Sequence, residues 1–226
     1  MAELLSGIMP NVVKTFPEMT KALFQTLQMV GTSALWSAVF GVFFGVVLVV
    51  SAPGGIMENK VVYAVLDKVI NVLRSIPFVI LIALLLPLTR IVMGTSIGTK
   101  GAIFPLVIGT IPFFSRQIHS ALCEVDRGVV EAAQAMGSGP WEIVLRVYLR
   151  EGLGGMIRGA TITIINLIAL SAMAGCVGGG GLGDYAIRYG FQRFQTDVTI
   201  VTVIILLILV TIIQSVGNLL TRRLPQ

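Results

Sequence analysis

Residues Val198 to Ile213 read VTIVTVIILLILVTII, an apolar run broken only by threonines, whose hydroxyls can hydrogen-bond back to their own helix. Continued to Leu219, the run makes a helix roughly 30 Å long, about one hydrocarbon core. Inside a bilayer every backbone polar group must find its partner within the protein, and a helix satisfies that demand by itself. Composition extends the constraint to the whole chain. Of its 226 residues 55% are hydrophobic and 12% charged, against about 25% charged in a soluble domain. That leaves too little polar surface to cover a globule in water. Hydropathy marks five spans, at 23–50, 62–88, 101–116, 154–175 and 197–219. The fold class is therefore all-α integral membrane with five transmembrane helices, one domain over 1–226. Pro77 is expected to kink the second span, and Pro105 and Pro112 to interrupt the third. Residues 1–21 carry no positive charge before Lys14 and no A-x-A cleavage site, so they read as a surface segment and not as a signal peptide.

Five spans put the termini on opposite sides. With the 115–153 connection inside, ten of the sixteen Lys and Arg fall inside, Arg222 and Arg223 among them. Lys14, Lys21, Arg90, Lys100, Arg188 and Arg193 fall outside. This is the bias that membrane insertion favours, and it places the N-terminus outside and the C-terminus inside. Retained loop cations also explain the net charge of +5, and no basic run interleaved with aromatics points to nucleic acid. Cys123 and Cys176 lie on opposite sides in this topology and read as packing residues, not as a disulfide.

Several chemistries are missing. The spans hold almost no ionisable group at mid-depth, whereas an ion-coupled carrier needs a buried carboxylate or histidine. The single histidine, His119, falls at the end of the third span. No G-x-x-x-x-G-K-[ST] loop is present to cradle nucleotide phosphates. Gly178 to Gly183 fits G-x-G-x-x-G but follows a membrane helix instead of a strand, so it is no dinucleotide fingerprint. It reads as a flexible, externally exposed turn. No paired-carboxylate, H-E-x-x-H or G-x-S-x-G arrangement supports an enzyme, and no metal or cofactor is expected.

The connection at 124–150 is the most informative segment. Val129 to Met136 reads as a short helix with a small-residue face of Ala132, Ala133 and Ala135. Gly137 ends it, Ser138-Gly139-Pro140 turns the chain, and Pro140 suits the first turn of a second helix. Such a unit can insert into a groove on another protein. The pattern Glu131-Ala132-Ala133-x-x-x-Gly137, followed by Val147-x-Leu149, resembles the cytoplasmic "EAA" coupling loop of ABC-importer permeases. Arg150 stands where that family commonly has proline. Further segments, Asn71 to Phe78, Arg90 to Gly98, Ser171 to Gly175 and Gly180 to Gly183, are similar to the methionine-uptake permeases of this class.

The resemblance, which covers roughly residues 60–222, implies a permease in a bacterial inner membrane that catalyses no reaction itself. It implies a second copy of the chain, two ATPase subunits that bind the ATP, and a lipid-anchored or periplasmic substrate-binding protein. Glu131, Ala132, Ala133, Gly137, Val147 and Leu149 are then the residues that couple to the ATPase. Methionine is the implied cargo, with another amino acid, or an ion-coupled carrier, as the alternatives. Five helices are few to enclose a path, so we expect a two-fold dimer with the path on its axis. Asn166, Ser171 and Met173 of the fourth span are candidates to line it. Met173 is the candidate gate, because a flexible apolar side chain can seal a pore. The outer segment from Gly178 to Thr196, with Tyr185, Arg188, Tyr189 and Arg193, is expected to meet the binding protein, and Arg74 to pair with a loop acid or a lipid phosphate.

Overall fold

The computed structural model describes residues 9–222, in which all secondary structure is helical. In chain order the helices are α1 (Pro10–Lys14), α2 (Phe16–Ser51), α3 (Lys60–Ser75), α4 (Phe78–Met93) and α5 (Gly98–Cys123). They continue with α6 (Arg127–Ala135), α7 (Pro140–Ile143), α8 (Leu153–Ala174), α9 (Gly181–Tyr185) and α10 (Thr196–Arg222). Among the described residues α2, α5, α8 and α10 are each long and apolar enough to cross a membrane, and α3 with α4 makes a fifth crossing if that pair is one span.

The pair is bent by 108°, far more than a kink. Pro77 has no N–H to continue α3, and its ring pushes Ile76 out of the helical region, to φ −79° and ψ 123°. The Pro77 carbonyl then starts α4 by accepting the Ile80 and Leu81 N–H groups at 2.9 and 3.0 Å. Pro105 and Pro112, by contrast, sit within an unbroken α5, which also contains His119.

Two compact units share the long helices. The first comprises the chain up to Leu35, Pro77–Ile108 and Ile164–Gln214. Its core joins Met29, Leu106 and Leu167, all fully buried. A second cluster there gathers Val12, Ala22, Leu182, Tyr185 and Val198, which adds an anchor to the N-terminal surface segment. α2 begins at Phe16, well before the apolar run. Ahead of it, Asn11 donates from its backbone N–H and its amide to the Asp197 carboxylate, at 3.0 and 3.1 Å. Thr15 shares a 2.8 Å hydrogen bond with the Tyr185 hydroxyl. Burial holds that phenol above its ordinary pKa, so Tyr185 stays protonated. From residue 9 onward this segment lies on the surface, as expected, with Val13, Lys14, Phe16, Glu18 and Lys21 exposed, but it is anchored there through Asn11, Val12 and Thr15. The rest of it, residues 1–8, lies outside the described residues, as does Arg223.

The second unit comprises Trp36–Ile76, Gly109–Thr163 and the chain from Ser215 on. Phe114, Ile118 and Leu122 of α5 form its core with Val49 of α2. Two G-x-x-x-G spacings, Gly41 with Gly45 and Gly155 with Gly159, serve packing here. A Cβ on Gly41 or Gly45 would strike Phe114 or Ile118, and one on Gly155 or Gly159 would strike Ala121 or Gln117. The small residues let the helices approach backbone to backbone.

Within the same unit Arg116 of α5 meets Asp67 of α3 at 2.6 Å and also donates to Asn71 at 3.1 Å. Asn71 in turn donates to Asp67 at 2.9 Å. Arg74 does not take a loop acid among the described residues. Its guanidinium stands over the Phe113 ring, 5.9 Å from the centroid. The Arg116 and Asp67 side chains are only 21% and 30% exposed, so Arg116→Gln is expected to cost about 1 kcal/mol of thermal stability. The double change with Asp67→Asn should cost no more than the single one. Fully additive losses in a melting series would show that the two side chains act separately.

Candidate functional site

The 124–150 segment folds as a helix, a tight turn and a second helix, with each join set by local chemistry. The Asp126 carboxylate caps α6 by accepting the Gly128 N–H at 2.7 Å. The helix ends in a Schellman motif: Gly137 donates to the Gln134 carbonyl at 2.9 Å and Ser138 to the Ala133 carbonyl at 3.1 Å. This requires a left-handed residue, and Gly137 has φ +83°. Among the described residues no atom lies within 4 Å of where its Cβ would be, so conformation, not space, demands the glycine. Gly139 then caps α7, Pro140 takes the first turn, and Glu142 accepts the Gly139 N–H at 3.3 Å. The backbone continues through a π-helical turn, Val144–Tyr148, and Leu149–Glu151 into α8. At the junction Gly152 is buried against Leu122 of α5 and the Tyr148 carbonyl. The segment is thus tied to the ends of both α5 and α8.

The six sequence-selected coupling residues divide between two faces. Ala133 is buried with Val130 and Ile143, and Val147 packs on that cluster together with Ile56, Val125 and Tyr148. Leu149 is half-buried. Glu131, Ala132 and Gly137 are exposed. The single small-residue face is therefore corrected: Ala133 turns inward while Ala132 and Ala135 face out. Sequence reasoning also missed three residues. Met136, Trp141 and Leu145 are 79%, 70% and 63% exposed, on a segment that also exposes Val129 and several charged groups, among them the Glu142–Arg146 pair at 3.3 Å. Large apolar side chains left uncovered outside the apolar spans mark a protein contact. The available signal was Trp141, a large aromatic side chain placed directly after the Ser138-Gly139-Pro140 turn. Glu131, Arg127 and Gln134 also border a cleft of about 190 Å³ beside the Ala52–Ile56 loop.

In the first unit Asn166 and Met173, seven residues apart, share a face of α8 with Ala169, and Met173 is exposed. Ser171 points elsewhere: it is buried, and its hydroxyl donates to the Ile168 carbonyl at 2.7 Å. The glycine run that follows is not a flexible exposed turn. Gly179, Gly181 and Gly183 are buried. A Cβ on Gly183 would overlap the Ala172 backbone, and one on Gly175 the Asp184 N–H. Helix α9 is capped from a distance by α2: Gly181 donates to Gln25 Oε1 at 3.0 Å and Leu182 to Thr26 Oγ1 at 2.8 Å. Tyr185, expected at an outer contact, is core instead.

Comparison with known proteins places the chain in a family. Residues 37–226 match the family model described as binding-protein-dependent transport system inner membrane component. The chain is 47% identical over 203 residues, 90% of each protein, to the probable D-methionine transport system permease protein MetI of Vibrio cholerae. It is 42% identical over 157 residues to the corresponding Escherichia coli K12 permease, covering 70% of this chain and 72% of that one. A chain of an inward-facing MetNI methionine ABC transporter superposes with a TM-score of 0.92 at 39% identity, covering 94% of this chain and 99% of the other. A chain of an amino acid ABC transporter, at 19% identity and a TM-score of 0.79, shares the fold. With its helix–glycine–helix connection, its apolar spans and these matches across most of its length, the chain belongs to the family of binding-protein-dependent transport inner membrane components.

Proposed function

We propose that this chain is the transmembrane permease subunit of an ATP-driven importer of methionine, in both D and L forms. It works as a homodimer with two separate ATPase subunits and a substrate-binding lipoprotein or periplasmic protein. ATP is held and hydrolysed by the ATPases, and the chain needs no cofactor. The whole of 1–226 serves as one permease domain in the inner membrane, with the N-terminus outside, the C-terminus inside and the 124–150 segment on the cytoplasmic side. The observation that carries this reading is the uncovered side chains of Met136, Trp141 and Leu145 in the segment that holds Glu131, in a chain 47% identical to a probable D-methionine transport system permease protein.

The mechanism follows from how the segment is anchored. The ATPase takes the exposed face, with Glu131, Ala132 and the Gly137 turn at the contact. Ala133, Val147 and Leu149 transmit the displacement inward. Because the segment runs directly into α5 and α8 and is locked to Leu122 at Gly152, closure of the ATPases moves those helix ends with it and alternates access to the path. Asn166 and Met173 line that path, Met173 as its apolar gate, while Ser171 holds the helix against its packing.

The test is uptake of radiolabelled methionine into proteoliposomes holding the full complex. Uptake should require ATP, the ATPase and the binding protein, and Met173→Ala should raise ATP hydrolysis in the absence of substrate. Uptake that persists without the ATPase would overturn the importer reading, and unchanged transport and hydrolysis in the Met173 variant would remove the gate.

A further inference from the structure

Where α2 begins, two helix faces enclose a cleft of about 390 Å³, within the 300–1,000 Å³ usual for small-ligand sites. One wall is a face of α2 bearing Glu18, Lys21 and Gln25. The other is a face of the 181–191 helix bearing Asp184, Arg188 and Tyr189, and Gly178 and Gly180 contribute bare backbone between them. Each wall supplies one acid and one base. On the second wall these satisfy each other, Arg188 meeting Asp184 at 2.6 Å. On the first they do not: among the described residues neither Glu18 nor Lys21 has an ion-pair partner, although both border the cleft. The unspent charges are thus one carboxylate and one ammonium, one helical turn apart on one face.

We propose that this cleft binds the zwitterion of a free amino acid, Glu18 accepting its ammonium and Lys21 its carboxylate. Charge-assisted contacts of this kind are the strong ones, and a pair of opposite sign rejects any ligand lacking either charge. The proposal rests on the import of methionine inferred above and adds a substrate site on the permease itself. The side chain has a partner too. Tyr189 lines the cleft; its ring packs against that of Tyr185, 5.2 Å between centroids, and the Arg188 and Arg193 guanidinium groups lie 5.3 and 4.5 Å from its centroid. A thioether sulfur packs favourably against aromatic rings, so the Tyr189 that lines the cleft offers a partner to a methionine side chain.

The experiment measures saturable binding of radiolabelled L-methionine to the permease–ATPase complex in nanodiscs, with no binding protein present. Glu18→Gln and Lys21→Gln, both at exposed positions, should each weaken binding about tenfold, the loss of one charge-assisted contact. Methioninamide, which lacks the carboxylate, should compete poorly with the wild type and nearly as well as methionine itself against Lys21→Gln. N-acetylmethionine should show the same relation for Glu18→Gln. Absence of saturable binding in the wild type, or equal binding by wild type and both variants, would overturn the site. Uptake assayed in parallel with the binding protein keeps the two readings apart: intact uptake without cleft binding leaves the importer standing and removes only this site.

Discussion

Gly183→Ala is expected to lower the melting temperature of the detergent-purified chain by about 10 °C, which corresponds to about 3 kcal/mol in a chain of this size. The added Cβ meets backbone, the carbonyl of Ala172, and neither a rotamer change nor a small side-chain shift can relieve it. The 180–185 turn must move away from α8, and Leu182 and Tyr185 leave their buried positions with it. Gly178→Ala is the internal control. Its Cβ would enter open space, but its φ of +92° is left-handed, so only the conformational cost of about 1 kcal/mol applies. Equal, small losses at both positions in a thermal melt followed by size exclusion would mean that the glycine run is not packed as described.

The second large effect is expected at Gly137. Valine there must adopt a left-handed conformation that β-branched residues resist, at about 2 kcal/mol, whereas asparagine tolerates it at a fraction of that cost. The ends of the Schellman motif would separate, and the exposed patch would lose its fixed angle to Glu131. Gly137→Val should therefore reduce capture of the ATPase at limiting concentration about 30-fold, and Gly137→Asn should stay within a few-fold of wild type. The two side chains are close in size and the site around the missing Cβ is open within this chain. Equal capture by both variants, whether normal or lost, would thus rule out backbone conformation as the reason for the glycine.

Local signals carried the sequence reading as far as they reach. A run such as Val198–Ile213 declares its setting because burial in lipid is a property of each residue in turn. Gly137 and Pro140 marked the end of one helix and the start of the next because capping acts over three or four residues. What was not legible depends on distant partners. Asn11 and Asp197 are 186 positions apart, and nothing around either announces the other, so the anchoring of this surface segment was not legible. Glycine tells of freedom but not of crowding: Gly183 looks flexible until Ala172 is placed against it. Pro77 signalled a break in the helix, but its 108° angle is not set by Pro77 alone. The inward turn of Ala133 and the exposure of Met136 and Trp141 likewise needed the packing of α6 on Ile56 and Ile143.

The lengths of the helices carry a consequence for the lipid. At 1.5 Å per residue, the apolar run of α2 over residues 23–50 is about 42 Å long, beyond a hydrocarbon layer of about 30 Å, whereas the 16 residues of α4, the more apolar half of the bent α3–α4 pair, reach only about 24 Å. No single bilayer thickness matches both. A thicker membrane suits α2 and strains α4, and a thinner one does the reverse, each at fractions of a kcal/mol per Å. Turnover in vesicles should then pass through a maximum as acyl chains are lengthened, which makes membrane thickness a physical variable that acts on this protein without touching its cargo or its nucleotide.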